Sequence, residues 1–169
     1  MKIHHWTLDC AADLAQSYNR QVADVPYCYP QSDDGFQREV QEDLQELYGF
    51  SRQHLHSEEF IVAENDGAVL GFVHVCSEDE EEDGKTNRVG VIRFLAYEPG
   101  LRLVGQALLD EAEQQFRDAG IARVHAFYKG YVYHFYSPDG GLSELYGTRQ
   151  QSYEHKRVCL VRTNRQHGS

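Results

Sequence analysis

The chain has 169 residues, the size of one compact domain, and 41% of them are hydrophobic. A domain of this length buries roughly two-thirds of the surface that its unfolded chain exposes. The formal net charge of −11 repels phosphate backbones and anionic membranes, so neither nucleic acid nor a membrane is an expected partner. A cationic partner such as an amine fits this charge better.

Cysteine spacing and hydropathy indicate the compartment. The cysteines lie far apart, with no C-x-x-C pair, at Cys10, Cys28, Cys76 and Cys159. This pattern is typical of free thiols in a reducing environment. No apolar run approaches the roughly 20 residues that a membrane helix needs, and no secretory leader is visible. We therefore expect a cytoplasmic protein.

The N-terminal part of the chain predicts a strand followed by two helices. The strand covers Met1 to Thr7, and Thr7 or Asp9 would cap the first helix. The apolar positions of that helix repeat every four residues, at Leu14, Tyr18 and Val22. A loop with two prolines, Val25–Pro30, precedes a second helix that Ser32 would cap. The apolar face of the second helix comprises Phe36, Val40, Leu44 and Leu47.

Three strands are predicted in the middle of the chain. Phe60–Ala63 and Val69–Cys76 are rich in β-forming residues, and Asn65-Asp66-Gly67 between them is a hairpin signal. The six acidic residues Glu78–Asp83 are interpreted as a solvated loop tip. Val89–Tyr97 then forms the next strand.

After Pro99 the apolar period changes to that of a helix. One face carries Val104, Leu108, Ala112 and Phe116. Gly120 would end this helix, and Arg123–Phe127 forms a short following strand. Strand, turn, helix and strand in succession predict an α/β domain with a mixed sheet and a crossover helix. No linker divides the chain, so residues 1–169 are interpreted as a single domain.

The turn between the last long strand and the helix is the most informative segment. Backbone N–H groups and the helix dipole point outward at such a turn, which suits an anionic group such as a pyrophosphate. Gly105 would let a ligand approach the backbone closely, and Arg102 would add a charged contact.

This segment resembles motif A of the GNAT acetyltransferases. "FLAYEP" is similar to the end of the family's strand, and "GQALLDEAEQQFRDAGIARV" to its helix and following strand. "WTLDCAADLAQSYNRQV" and "FIVAENDGAVLGFVHV" resemble the family's earlier strands and first helix, so the likeness covers roughly residues 1–136. The resemblance implies a central, mixed and mostly antiparallel twisted sheet of six or seven strands, flanked by helices.

The resemblance also implies acetyl-CoA as co-substrate, with no metal. The strand before the turn would splay from its neighbour and offer its backbone to the pantetheine arm. The implied cofactor-binding residues are Phe94, Leu95, Ala96, Tyr97, Gly100, Leu101, Arg102, Leu103, Val104, Gly105 and Gln106.

The phosphate loop departs from the family pattern by being short. Five residues separate Pro99 from Gly105, fewer than family members usually have. When the helix is matched, Leu103 stands at the middle glycine of the motif and Gly100 at its glutamine or arginine. The alternative reading, Arg102 to Ala107, satisfies R-x-x-G-x-A but puts the helix out of step.

Transfer of an acetyl group to an amine requires an acid for the leaving thiolate and a base for the ammonium proton. By resemblance the acid is a tyrosine, and "KGYVYHFYSPDGG" aligns Tyr136 with it, while Tyr146 is a second possibility. Glu98 is the candidate base at the end of the strand. His125 and His134 are candidates for the lining of an acceptor pocket.

Two other interpretations stay open beside an acetyltransferase. One is a GNAT-like ligand-binding or regulatory domain without catalysis. The other is one half of a two-domain GNAT protein. The acceptor is expected to be a small-molecule or peptide amine, and the common family arrangement is a homodimer.

Overall fold

The computed structural model describes residues 1–25, 28–41, 54–126 and 158–160, the last by backbone alone. The N-terminal elements are β1 (Lys2–Trp6), a 3-10 segment (Leu8–Leu14), α1 (Ala15–Val22) and α2 (Asp33–Gln41). The remaining elements are β2 (Leu55–Asn65), β3 (Ala68–Glu82), β4 (Lys85–Tyr97), α3 (Arg102–Asp118), β5 (Arg123–Ala126) and β6 (Val158–Leu160).

The described strands form one six-stranded sheet in the order β1-β2-β3-β4-β5-β6. Only β4 and β5 run parallel, and α3 connects them as the crossover helix that parallel neighbours require. The other neighbours are antiparallel. The predicted mixed, mostly antiparallel sheet flanked by helices is therefore confirmed. None of the described helices is long and apolar enough to cross a membrane.

Both tight hairpins of the sheet use an Asp-Gly pair. Asp66 and Gly67 have φ values of 51° and 80°, and Asp83 and Gly84 have values of 52° and 71°. Two consecutive residues with positive φ form the turn whose twist matches that of antiparallel strands. The first turn confirms the predicted hairpin at Asn65–Gly67.

The second turn corrects the interpretation of the acidic run as a loop tip. Glu78 to Glu82 belong to β3 and pair with β4, and only Asp83 lies in the turn. Basic side chains on β4 and β5 offset the negative charge. Arg88 donates to both carboxylate oxygens of Asp79, and this hydrogen bonding lowers the pKa of Asp79. Arg123 in turn binds Glu80 and Glu82.

The two N-terminal helices differ in whether a side chain caps the N–H groups of their first turn. The Ser32 hydroxyl accepts the N–H of Gly35 at 3.1 Å, which confirms Ser32 as a cap. At the first helix Thr7 precedes the 3-10 segment but makes no capping hydrogen bond, and Asp9 lies inside that segment. The predicted cap of the first helix is therefore wrong. The predicted apolar positions Leu44 and Leu47 lie outside the described residues.

Two apolar cores cover the two faces of the sheet. On one face the 3-10 segment, α1 and α2 pack on strand residues that include Phe60, Phe72 and Phe94. On the other face α3 packs through Val104, Leu108, Ala112 and Phe116, as the helical period predicted. The helix lies so close that a Cβ at Gly90 would stand 2.8 Å from the ring of Phe116.

Truncation of α3 tests this packing with a matched control on the same helix. Leu108 is fully buried, whereas Leu103 is 84% exposed. Leu108→Ala is expected to lower the free energy of unfolding by about 2–5 kcal/mol, because it leaves a cavity under the sheet. Leu103→Ala is expected to change it by less than about 0.5 kcal/mol. Denaturant melts of both variants check the difference, and equal losses would contradict the assigned face.

Candidate functional site

The site begins in the second half of β4. β4 pairs with β3 as far as Tyr97, which lies opposite Gly71. Its pairing with β5 is described from Gly90 to Ile92, opposite Val124 to Ala126, and Ala126 is the last described residue of β5. Beyond Ile92 no strand within the described residues pairs with this side of β4. Backbone groups of an open strand edge are ready to pair with an extended ligand.

The last residues of β4, Phe94 to Tyr97, pack their side chains into the two apolar cores. Phe94 and Ala96 are buried among the residues that pack under α1 and α2. Leu95 and Tyr97 are half-buried against the core that α3 covers. The segment therefore has only its backbone to offer a ligand, and its binding role stays a prediction.

The turn after β4 leads directly into α3. Gly100 has a φ of 85°, and the Leu101 N–H donates to the Glu98 carbonyl at 3.0 Å. The N–H groups of Val104 and Gly105 donate to the Leu101 carbonyl at 2.9 and 3.4 Å. The helix start has no side-chain cap. Of its first four N–H groups, the two that precede Val104 have no partner among the described parts of the chain.

Those two amides belong to Arg102 and Leu103. Both residues are exposed, and the positive end of the α3 dipole lies at the same point. This arrangement suits an anionic group, and the role of Arg102 in binding one stays a prediction. Leu103 lies at the position where the family motif has a glycine, and its side chain is 84% exposed.

Gly105 has a different role from the predicted one. A Cβ at this position would lie 2.4 Å from a ring carbon of Tyr97. The missing side chain therefore makes room for the tyrosine ring and not for a ligand. Val104 beside it is buried in the core, and the Gln106 amide donates to Asp110 at 2.8 Å.

Glu98 follows the open segment and is held by α1. Its carboxylate accepts a hydrogen bond from Arg20 Nε at 3.2 Å, and its N–H donates to the Leu70 carbonyl at 2.8 Å. The pair borders an open cavity of about 570 Å³ between α1 and the β2–β3 turn. Asp13 and Ser17 also line this cavity. The predicted base is thus one of the residues that line this cavity.

Of the histidine and tyrosine candidates, the structure describes only His125. His125 is buried on β5, and its Nε2 atom lies 3.4 Å from Glu80. Tyr136, Tyr146 and His134 lie outside the described residues. The described residues contain no group of three or more metal-ligating side chains.

A buried charged cluster close to the open segment escaped the sequence analysis. Glu58 Oε1 lies 2.6 Å from Arg93 Nη1 and 2.9 Å from His74 Nε2. The side chains of Glu58, His74 and Arg93 are 9%, 0% and 1% exposed. The signal that could have revealed the cluster is the presence of His74 and Arg93 inside runs that otherwise predict buried strands.

Because Gly105 lies against the ring of Tyr97, the effect of Gly105→Ala on stability should depend on whether that ring is present. Gly105→Ala should lower the free energy of unfolding by about 1–3 kcal/mol, because the new methyl group collides with the ring. In a Tyr97→Ala background the same change should be neutral or stabilising by up to about 1 kcal/mol, because alanine favours helix. Thermal and denaturant melts of the four proteins measure the coupling. An equal loss in both backgrounds would exclude the contact as its cause.

Among protein families, the model described as the acetyltransferase (GNAT) family matches residues 20–136 of the chain. No curated protein matches the chain. Among solved structures, the chain is similar to the glucosamine N-acetyltransferase region of a fungal multi-domain GH3 β-N-acetylglucosaminidase, with 17% identity and a TM-score of 0.59. That match covers 89% of this chain but only 16% of the fungal chain.

Two further structures match over larger shares of their own length. One is the ribosomal-protein-alanine N-acetyltransferase of Brucella melitensis biovar Abortus 2308, with 16% identity, coverage of 96% of this chain and 100% of that chain, and a TM-score of 0.53. The other is a predicted acetyltransferase of Clostridium acetobutylicum with acetyl-CoA, with 17% identity, coverage of 74% and 79%, and a TM-score of 0.53. At these identities the structures show a shared fold. The family match covers more than half of the chain, and the protein belongs to the GNAT acetyltransferase family.

Proposed function

We propose that the protein is an N-acetyltransferase that moves the acetyl group of acetyl-CoA to a primary amine. The proposal rests on the edge of β4 beyond Ile92, which pairs with no strand among the described residues and leads directly into the uncapped start of α3. An extended arm that ends in a pyrophosphate matches this sequence of an open strand edge followed by a helix N-terminus. The similar structure from Clostridium acetobutylicum is named as a complex with acetyl-CoA.

Each part of the site has a proposed task in binding. The N–H groups of Arg102 and Leu103, together with the Arg102 guanidinium, bind the pyrophosphate. The backbone from Phe94 to Tyr97 pairs with the pantetheine arm and supplies the N–H that polarises the thioester carbonyl. The co-substrate itself supplies an activated acetyl thioester.

The reaction is direct attack of the neutral amine within a ternary complex. Glu98 is the proposed proton acceptor for the incoming ammonium group, and Arg20 holds its carboxylate in place. Tyr136 is the proposed acid that protonates the leaving thiolate, with Tyr146 as the alternative. The C–N bond forms as the C–S bond breaks, and one proton passes from the amine to the enzyme while another reaches the sulfur.

The proposal also covers the compartment, the acceptor and the assembly of the protein. Cys10, Cys28 and Cys76 form no disulfide with one another within the described residues, and the proposed location is a reducing one, the cytoplasm. The acceptor is proposed to be a small-molecule or peptide amine. Two similar structures are named for glucosamine and for ribosomal-protein alanine, so an amino sugar and a peptide with N-terminal alanine are the first acceptors to assay. A homodimer is the proposed assembly.

A charge placed at the helix start tests the phosphate turn. Leu103→Glu should weaken acetyl-CoA binding by about tenfold, because a carboxylate would face the bound pyrophosphate. Leu103→Gln is the matched control and should bind like the wild type. Calorimetric titration of the three proteins measures the effect.

Two results of that titration would count against the proposal. Equal affinities of the Glu and Gln variants would place the pyrophosphate elsewhere. A wild type that does not bind acetyl-CoA at millimolar concentration would exclude acetyl-CoA as its donor. Tight binding without transfer to any assayed amine would instead favour the ligand-binding alternative or the half of a two-domain protein.

Removal of single hydroxyl groups tests the proposed acid. Tyr136→Phe should lower kcat by about 100-fold and leave the Kd for acetyl-CoA unchanged, because only protonation of the thiolate is lost. Tyr146→Phe is the control and should retain kcat within about threefold of the wild type. Thiol release in steady-state assays measures both variants. The reverse pattern would assign the role to Tyr146, and no loss in either variant would remove tyrosine from the reaction.

A further inference from the structure

The cavity between α1 and the β2–β3 turn has the size of a small-molecule site. Its volume of about 570 Å³ lies within the range of roughly 300–1,000 Å³ that is typical of such sites. One wall is a face of the 3-10 segment and α1, and this face carries Asp13, Gln16, Ser17 and Arg20. The opposite wall is formed by the start of β3 together with Glu98.

Polar contacts hold the two walls of the cavity against each other. Ser17 is 2% exposed, and its hydroxyl donates to the Val69 carbonyl at 3.3 Å. Gln21, which is 7% exposed, donates to the Ser17 oxygen at 2.7 Å. Arg20 Nη2 donates to the same Val69 carbonyl at 3.4 Å. The distance between the walls is therefore set by the protein before any ligand enters.

The charges along the cavity are unequally balanced. At one end Arg20 Nε lies 3.2 Å from the Glu98 carboxylate, so these two charges offset each other. Asp13 is exposed, and its carboxylate has no hydrogen-bonding or ion-pair partner among the described residues. Gln16 is a neighbour of Asp13 on the same face and adds a polar group beside it. Among the described residues that line the cavity, Asp13 therefore supplies the uncompensated charge, and that charge is negative.

The two carboxylates of the cavity stand well apart. Asp13 and Arg20 are separated by two helical turns, about 10 Å along the axis, and Glu98 lies beside Arg20. A ligand that reaches both carboxylates needs two basic groups joined by a chain of several atoms. Ala68 and Val69 also line the cavity, and their apolar side chains suit the methylene groups of such a chain.

We propose that this cavity binds the acceptor, and that the acceptor is a diamine or a longer polyamine. The reacting amino group lies at Glu98, and a second, protonated amino group binds the carboxylate of Asp13. This identification of the acceptor rests on the proposed function, in which Glu98 accepts the proton of the incoming ammonium group.

The second ammonium group takes no part in the chemistry. The reacting ammonium group gives one proton to Glu98, and its nitrogen then bonds to the acetyl carbon as the C–S bond breaks. The sulfur leaves as the thiol of coenzyme A with a proton from the proposed acid. The nitrogen loses a second proton, which replaces the one that the acid has given. The ammonium group at Asp13 keeps its proton and its charge throughout.

A dication matches the cavity better than other classes of amine. An acceptor with a single amino group at Glu98 leaves the charge of Asp13 uncompensated. A carboxylate at the far end of the acceptor, as in an amino acid, would be repelled by Asp13. The net charge of −11 also attracts a polycation from a distance.

The experiment compares two ligands and two variants in the full chain. Putrescine carries an amino group at each end of a butane chain, and butylamine is the same chain with one amino group. Asp13→Asn removes the negative charge and keeps the size of the side chain. Asp24→Asn is the matched control, because Asp24 is an exposed carboxylate beyond the end of α1 and is not among the described residues that line the cavity.

The first readout is an NMR titration of the protein with each amine in the absence of acetyl-CoA. Putrescine should shift the amide signals of Gln16 and Ala68, which line the cavity. Asp13→Asn should raise the Kd for putrescine about tenfold, because a charged contact is lost. The same variant should leave the weaker binding of butylamine unchanged, and Asp24→Asn should change neither Kd.

The second readout is transfer from acetyl-CoA. Asp13→Asn should lower kcat/KM for putrescine about tenfold and leave kcat/KM for butylamine unchanged, because only the contact with the second ammonium group is removed. Asp24→Asn should retain the wild-type values for both amines.

A putrescine titration that shifts no amide signal of the cavity would overturn the proposal. Equal losses for putrescine and butylamine in Asp13→Asn, or an equal loss in Asp24→Asn, would also overturn it. The titration needs no acetyl-CoA, so a wild type that binds putrescine in the cavity but does not bind acetyl-CoA counts against the proposed function alone. A wild type that acetylates glucosamine or an alanine peptide, yet neither binds nor acetylates putrescine, keeps the proposed function and excludes the diamine.

Discussion

The connection from β4 into α3 is the constraint on which the rest of this structure depends. One side of β4 pairs with β3 as far as Tyr97, and on the other side the described pairing with β5 extends to Ile92. The crossover helix α3 returns the chain to that second side, and its N-terminus begins a few residues beyond Tyr97. The end of β4 and a helix start without a side-chain cap are therefore brought together by a single connection of the chain.

The packing around that connection leaves little freedom in its shape. Gly105 accommodates the ring of Tyr97, and Gly90 accommodates the ring of Phe116, so α3 lies close to β4 at both ends. On the opposite face the core under α1 and α2 ends at the cluster centred on Glu58. The site is therefore formed by backbone that apolar packing fixes from two faces, and it is not formed by a long flexible loop.

Local patterns in the sequence predicted most elements, whereas contacts between distant residues remained hidden. The spacing of Leu108 and Phe116 predicted the buried face of α3, and the glycine after Asp66 predicted a hairpin. The same Asp-Gly signal occurs at Asp83, but the acidic run before it suggested a loop. Arg123, which forms an ion pair with Glu80 of that run, lies about forty residues away in the sequence, so no local pattern could indicate the contact. For the same reason the role of Gly105 depends on a ring that no sequence pattern brings near it.

The most direct test of the account is amide hydrogen exchange of the wild type with and without acetyl-CoA. We predict that binding slows exchange at the start of α3 and at those residues of Phe94 to Tyr97 whose N–H groups point away from β3, because these groups gain partners on binding. Strands β1 and β2 should exchange at unchanged rates. Protection confined to other parts of the chain, with Phe94 to Tyr97 unaffected, would contradict a cofactor site on the open edge of β4.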